Sequence, residues 1–399
     1  MIDFYDALTE LQNIAHVAPA TESCPLAQAA NRILAHDIEA KFASPLFDNS
    51  AMDGYAICAP NDEAGPFQII ERIAAGDSAE HVRLSTNQAV RIFTGAPIPA
   101  GTTAVVPQED TSVVDTTLTL TVAAQAKQHI RFAGEETRVG DRLLPAGTPL
   151  STANLGLIAS QGYPCVTVFK PLSIVVFSSG NELINPDQTL AAGQIYDANR
   201  FQLLAWLSAL GAQVTDGGIL PDQQQATEVA LTQAAANHDI IITSGGVSVG
   251  EEDHLKNAIM KAGTLIEHKV LIKPGKPFSW GEVGQAKVFM LPGNPVATFA
   301  TSQLLLQPAL KRLMGLHQRY WSLPQVYATA AFDKPKAIKR REFLRAVLVN
   351  QEGHSHITLL PHQGSAMLSA CTQANCLVEV PPQTTVTTGD SLRVYLLSA

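Results

Sequence analysis

Hydrophobic and polar positions along this chain follow two rhythms, and the change between them marks out its parts. Between residues 169 and 317 lie three continuous apolar runs of buried-strand length: SIVVF (173–177), IIIT (240–243) and KVFM (287–290). Segments of helical spacing separate them. Phe201, Leu204, Leu207 and Leu210 mark one helix face, QQQATEVALTQAAA a second helix, residues 254–262 a third and VATFATSQLLLQPALKRLMG the last. AQVTDGGIL and LIEHKVLIK read as further strands. Buried strands alternating with helices predict a parallel sheet covered by helices.

The flanks differ. Residues 1–40 read as two helices, one carrying Phe4, Leu8, Leu11 and Ala15 on a single face, the other around 25–35, followed by an extended segment. From 41 to 138 short strands such as FQIIERIAAG, AVRIFTG and TLTLTV are separated by Gly, Pro and Asn, the texture of a β-rich domain. Residues 139–168 hold DRLLPAGTPLS, a helix over 153–162 and the strand CVTVF, and are read as returning to the first segment. After a linker near 317–324, the remainder to 399 again reads as strands, among them FLRAVLV, CLVEV and SLRVYLL. The fold class expected is therefore an α/β central domain with β-rich accessory domains.

Composition narrows the partners. Of 399 residues, 46% are hydrophobic and 16% charged, and the net charge is -9. That balance argues against a nucleic-acid partner, which demands clustered Lys and Arg. No apolar run reaches the roughly 18 residues of a membrane span, and the amino terminus lacks signal-peptide form, so a cytoplasmic protein is expected. Cys24, Cys58, Cys165, Cys371 and Cys376 are dispersed, with no C-x2-C pair to hold zinc. Cys371 and Cys376 are read as small buried apolar residues.

The candidate chemistry sits in glycine-rich loops after the three apolar runs: SSGNEL (178–183), SGGVSVGEED (244–253) and LPGNP (291–295). Loops at the carboxyl ends of parallel strands are where open α/β sheets bind ligands, and glycine lets backbone approach an anion. In the second loop Ser244 and Ser248 supply hydroxyls while Gly245, Gly246 and Gly250 free the backbone. Capping of the next helix explains the acids Glu251, Glu252 and Asp253, but not three glycines with two serines. In LIKPGKPFSWG (271–281), Pro274 and Pro277 exclude a helix, so Lys273 and Lys276 are held on a stiff turn suited to a tetrahedral oxyanion. Pro292 and Pro295 repeat that logic in the third loop. The basic run KPKAIKRREFLR (334–345) is either a solvated face or an oxyanion-binding wall.

Glu182, Asp197, Asp222 and Asp253 fall at predicted strand ends, where a hard divalent cation such as Mg²⁺ could sit between carboxylates and a phosphate. In the β-rich part FDNSAMDGYAI (47–57) places Asp48 and Asp53 around a turn. An anionic, phosphorylated small molecule is the default ligand.

FDNSAMDGYA, FTGAPIPAGTTAVVPQE, SSGNEL, QIYDAN, SGGVSVGEED, IKPGKPF, LPGNPV and HQGSAML, in this order, resemble the molybdopterin molybdenumtransferase family, which includes the enzymatic domain of the vertebrate scaffold gephyrin. The resemblance spans about residues 5–397. It implies a four-domain elongated subunit: domain I from 1–40 and 139–168, a β-rich domain II over 41–138, an α/β molybdopterin-binding domain III over 169–317 and a β-barrel-like domain IV over 318–399. It also implies a homodimer, with the cleft between domain III of one subunit and domain II of the other.

The implied reaction converts adenylyl-molybdopterin and molybdate to molybdenum cofactor and AMP, with Mg²⁺ as cofactor and a molybdopterin adenylyltransferase as substrate donor. By resemblance Lys273, Lys276, Arg345 and Ser365 contact the oxyanion, with Arg341 a competitor for Arg345. Ser244 to Gly250, Pro292 and Pro295 hold the substrate. Asp53, Thr94, Glu136, Glu182, Asp222 and Asp253 are the catalytic polar positions, with Glu182, Asp222 and Asp253 holding metal. Two positions depart from the family pattern: Glu136 stands where an aspartate is usual, and Asn181 where SSGNEL would more commonly carry an aspartate. The rival readings are a non-catalytic molybdopterin-binding scaffold and a molybdopterin adenylyltransferase.

Overall fold

The computed structural model describes residues 1–14, 18–59, 65–221, 223–246, 254–351 and 353–397. It divides into two compact units, one of residues 1–36, 146–151 and 165–399, the other of 37–145 and 152–164.

At the centre of the larger unit the apolar runs form a six-stranded sheet. In chain order its elements are β1 (Ser173–Ser179), α1 (Asn199–Ala209), β2 (Gln213–Leu220), α2 (Gln224–Asn237), β3 (Ile240–Ser244), α3 (His254–Ala262), β4 (Gly263–Lys269), β5 (Pro277–Val283), β6 (Ala286–Leu291) and α4 (Pro295–Thr301). The strand order is β2-β1-β3-β6-β5-β4. β2, β1, β3 and β6 are parallel, in register Ile174 to Ile240 to Lys287, while β5 and β4 complete the edge antiparallel. Ile174, Ile240, Ile242, Phe289 and Leu291 pack on one face of the sheet and Val175, Ile241, Val288 and Met290 on the other. Burial on both faces is why these strands read as unbroken apolar runs. α4 continues through a π-helical turn (Ser302–Leu306) into Gln307–Leu313, carrying Leu304, Leu305 and Leu310 into the first core.

The amino-terminal helix Phe4–Gln12 is capped by Asp3, whose Oδ1 accepts from Tyr5 N at 2.9 Å, and it buries Phe4, Ala7 and Leu11 in the same core. The helix expected around 25–35 does not form. Thr21–Pro25 is a strand paired with Cys165–Phe169, and a single short turn, Leu26–Gln28, follows. Amides further on bond across the chain instead: Asn31 N to Leu150 O, Leu34 N to Thr148 O and Ala35 N to Thr167 O. Long-range pairing satisfies these donors, and local helical spacing is overridden.

The last part of this unit is a closed five-stranded barrel of Gln325–Ala330, Arg341–Gln351, His354–Leu359, Cys376–Val380 and Ser391–Leu396. Its second strand also pairs, in parallel, with Ile272–Lys273 of the central region, matching Ile272 with Arg341 and Lys273 with Glu342. A lysine of the KPGKP turn is thereby built into the barrel's hydrogen-bond ladder.

In the smaller unit a six-stranded sheet, ordered Ala104–Pro107, Gly54–Ile57, Gln88–Ile92, Phe67–Ile73, Thr117–Leu120, Thr111–Val114, packs Ala56, Val90, Ile92 and Val105 on one face and Ile57, Phe67, Val106 and Leu118 on the other. Among the described residues no helix is long and apolar enough to cross a membrane.

Candidate active site

Strand order reverses between β1 and β3, and their carboxyl ends open into a cavity of about 1190 Å³. Its walls come from all three glycine loops, the KPGKP turn and a barrel loop: Gly180 and Glu182, Ser244 to Gly246, Lys273 to Pro277, Pro292 to Pro295, and Gln363 to Ala366 with Arg340. The loops interlock. Gly245 has φ of +90° and a Cβ there would lie 2.2 Å from Ser179 O, so only glycine permits the approach of the β3 loop to β1. Its amide donates to Leu291 O at 3.1 Å, which occupies that donor and ties the β3 loop to β6. Pro292 O accepts from Thr298 Oγ1 at 2.5 Å, and Pro295 opens α4 at a position where a missing N–H costs nothing.

The KPGKP turn faces the same cavity as Ser244 to Gly246. Gly275, at φ of +102°, leaves room for Thr301 of α4: a Cβ would sit 2.4 Å from Thr301 Cγ2. Lys273 Nζ donates to Glu342 Oε1 at 3.1 Å, and Glu342, a buried carboxylate, also pairs with Lys334 at 2.5 Å. Lys276 is exposed and has no ion-pair partner among the described residues.

The basic run 334–345 separates into different fates. Arg340 lines the cavity, with one long contact from its NH1 to Ile272 O at 3.4 Å. Arg341 turns away, pairing with Glu379 and lying 4.6 Å over the Tyr5 ring. Its charge is paired with Glu379 and it does not line the cavity, so it is not at the expected oxyanion contact. Arg345 is 1% exposed and does not line the large cavity. Its guanidinium donates to the carbonyls of His362 and Gly364 at 2.9 and 3.2 Å, and it borders an adjoining 230 Å³ cavity with Lys273 and Glu342. Burial pushes its pKa down. Gln363 doubles the lock, its amide bridging Arg345 N and O at 3.0 and 2.8 Å. Ser365, which lines the cavity, accepts through its carbonyl from Val296 N at 3.1 Å and so caps α4 from the barrel.

Among the described residues, Glu182 is the one carboxylate lining the cavity. Asp197 is buried and paired with Arg200 at 2.9 Å, so it holds a side chain and not a cation. Asp222, Ser248, Gly250 and Asp253 lie outside the described residues, and within those no cluster of three acids, His or Cys could hold a metal ion. A magnesium ion needs several oxygen ligands, and of the three acids expected to hold one only Glu182 lies among the described residues, at the cavity wall. Three cations facing one acid make a cavity that attracts anions within a chain of net charge -9. No cysteine lines the cavity: Cys24, Cys371 and Cys376 are buried free thiols, and burial pushes Cys376 up to about 11.

The remaining expected residues belong to the smaller unit. Asp53 is exposed, and its Oδ1 accepts from Thr94 N and Thr94 Oγ1, both at 2.8 Å. These two bonds, the amide first, hold its carboxyl below the ordinary range. Asp48 accepts from Ala133 N, and Glu136 from Ser44 Oγ at 2.7 Å. Sequence reasoning held Arg340 only as one member of the basic run, and missed Asn199, whose Nδ2 reaches Ser244 Oγ at 2.6 Å and Gly293 O at 2.7 Å. QIYDAN was a signal for the second; nothing in the run KRR separates Arg340 from Arg341.

A doubly covered, mainly parallel sheet, opening at its switch point on glycine loops and clustered cations and joined to a barrel that supplies one wall, defines a multidomain α/β protein with a cavity suited to an anionic small molecule. Three family descriptions match successive parts of the chain: the MoeA N-terminal region (domain I and II) over residues 2–162, the probable molybdopterin binding domain over 175–312 and the MoeA C-terminal region (domain IV) over 327–397. The chain is 39% identical over 362 residues to a molybdopterin molybdenumtransferase of Haemophilus influenzae, covering 90% of this chain and 89% of that one. It is 34% identical over 387 residues to molybdopterin molybdenumtransferase 2 of Mycobacterium tuberculosis, covering 94% of each. Its fold matches the crystal structure of the molybdopterin biosynthesis MoeA protein of Pyrococcus horikoshii OT3 over the full length of both chains, with a TM-score of 0.84 and 27% identity. This chain belongs to the molybdopterin molybdenumtransferase family.

Proposed function

We propose that this protein inserts molybdenum into molybdopterin, converting adenylyl-molybdopterin and molybdate to the molybdenum cofactor with release of AMP. The observation that carries the reading is the meeting of Lys273, Lys276 and Arg340 with three glycine loops around one cavity. Both reactants are anions, and a site that gathers them must offset their mutual repulsion. Lys276 and Arg340, not neutralised by acids among the described residues, bind and orient the anionic groups. Lys273 shares its charge with Glu342 and sets the position of the turn. Ser244 offers a hydroxyl at the floor, and Ser365 a second from the barrel loop.

The reading also has the chain act as a homodimer in the cytoplasm, taking its substrate from a molybdopterin adenylyltransferase, with the Asp53–Thr94 pair of a second copy completing the cleft. The fixed, exposed and readily ionised carboxylate of Asp53 supports that last point. The test supplies purified protein with adenylyl-molybdopterin and molybdate, with and without Mg²⁺. AMP release that depends on molybdate is expected; ATP consumption with molybdopterin would instead support adenylylation, and binding without either product a scaffold.

A further inference from the structure

Asn199 opens α1 with its side chain buried at the cavity wall. Both hydrogens of its amide are used, one on Ser244 Oγ at the end of β3, the other on Gly293 O in the loop after β6. A carbonyl can only accept, so contact with Gly293 O fixes which end of the amide is nitrogen. It follows that Ser244 Oγ is an acceptor toward Asn199, and its own hydrogen is left for another partner. Among the described residues no acceptor takes that hydrogen, and Ser244 lines the cavity.

The platform beneath Asn199 is stiff. Its neighbour Arg200, 3% exposed, pairs with Asp197 at 2.9 Å and with Asp216 of β2, and Arg200 N donates to Asp197 Oδ1 at 3.2 Å. The asparagine is thus held from the β2 side of the sheet while it reaches the loops of β3 and β6.

We propose that Asn199 is a positioning residue: its amide clasps two of the glycine loops at fixed separation and turns the Ser244 hydroxyl into a hydrogen-bond donor aimed at a phosphate oxygen of the bound substrate. The identity of that substrate rests on the function proposed above; the clasp itself does not. The hydroxyl then strengthens anion binding without carrying charge, complementing the lysines opposite.

Asn199→Ala removes both contacts, and Asn199→Asp keeps the shape but reverses one of them. An ionised carboxylate accepts from Ser244, drawing its hydrogen away from the ligand, and repels Gly293 O. In molybdate-dependent AMP release, KM for adenylyl-molybdopterin is expected to rise about tenfold in Asn199→Ala with kcat changed less, since lost charge-assisted hydrogen bonds weaken binding by that order. Asn199→Asp should be worse than Asn199→Ala at neutral pH and recover as the pH falls toward 5, when its acid form can donate to Gly293 O. The Asn199→Ala profile should show no such recovery, which a merely structural filler would not predict. Combined with Ser244→Ala, either change should add less than threefold to the larger single effect. Amide hydrogen exchange at 244–246 and 291–294 should quicken in Asn199→Ala while the barrel strands stay unchanged.

A KM within twofold of the parent in Asn199→Ala, or fully multiplicative effects with Ser244→Ala, would overturn the proposal, as would unaltered exchange in both loops. If the parent protein itself releases no AMP, the proposed function fails, while the exchange measurement still decides the clasp.

Discussion

Lys276 and Lys273 stand three residues apart on one turn, yet their surroundings predict different losses. Lys276 is exposed at the cavity and free of acid partners among the described residues, so Lys276→Gln removes a cation and leaves no orphaned charge behind. A hydrogen bond to a charged group contributes about 1.5–3 kcal/mol, and solvent at an open cavity places this one at the lower end. At about 1.4 kcal/mol per factor of ten, KM for the anionic substrate should rise roughly 10- to 30-fold with the melting temperature unchanged.

Lys273→Gln meets the same loss of binding and a second one. Its ammonium sits 3.1 Å from Glu342, whose side chain is 4% exposed. Removing it leaves that buried carboxylate to Lys334 alone. Loss of one partner of a buried pair costs about 3–5 kcal/mol, but Lys273 is 48% exposed and Lys334 remains, so screening reduces the expected cost to about 1 kcal/mol. Steady-state kinetics of AMP release and a thermal melt on both variants make the comparison. Parent-like KM in Lys276→Gln, or equal melting temperatures for the two variants, would refute the division of labour drawn here.

Further expectations concern the supports of the site. Thr94→Val removes one of the two bonds that lower the Asp53 pKa; the stabilisation from that carboxylate, present above its ordinary pKa and lost as pH falls through the lowered folded value, should then be lost at higher pH. A carboxyl-carbon titration by NMR that does not move upward would contradict this. Glu379→Gln disturbs a buried carboxylate that accepts from Tyr5 and Tyr395 hydroxyls at 3.0 and 3.1 Å and pairs with Arg341. Its removal should destabilise the junction of the first helix with the barrel by about 3 kcal/mol, read as a lower urea midpoint, and a midpoint equal to the parent's would disprove it. Gly245→Ala, whose Cβ would meet Ser179 O at 2.2 Å from a backbone at φ of +90°, should cost about 1–3 kcal/mol in strain and abolish turnover. Parent-like turnover in that variant would show that the loop has room the structure denies it.

What could be read from the sequence was what depends on periodicity or on proline and glycine. SIVVF, IIIT and KVFM became β1, β3 and β6 because strands covered on both faces have no polar positions to confuse the pattern. KPGKP stayed a turn because its prolines and glycine leave few conformations. Residues 25–35 failed because their amides bond to 148, 150 and 167, partners more than a hundred positions away that no local pattern can announce. Asp197 failed similarly: its place at a strand end suggested a ligand, while Arg200 three residues on had already claimed it.

The three arginines at 340, 341 and 345 carry this furthest. All three are identical in local chemistry, and their charge density invited a single role. Arg340 precedes the barrel strand and faces the cavity; Arg341, the first residue of the strand, meets Glu379; Arg345 lies within it and is enclosed against its own loop carbonyls. A shift of one residue along a strand exchanges its two faces, so charge counting cannot assign them until the register with Ile272–Lys273 is fixed. That same pairing carries Lys273 into the barrel ladder, which makes the position of the cavity's cations a property of the joint between two domains. Substitutions that loosen that joint, such as Glu342→Gln, should therefore raise KM for the anionic substrate in the AMP-release assay without touching the substrate.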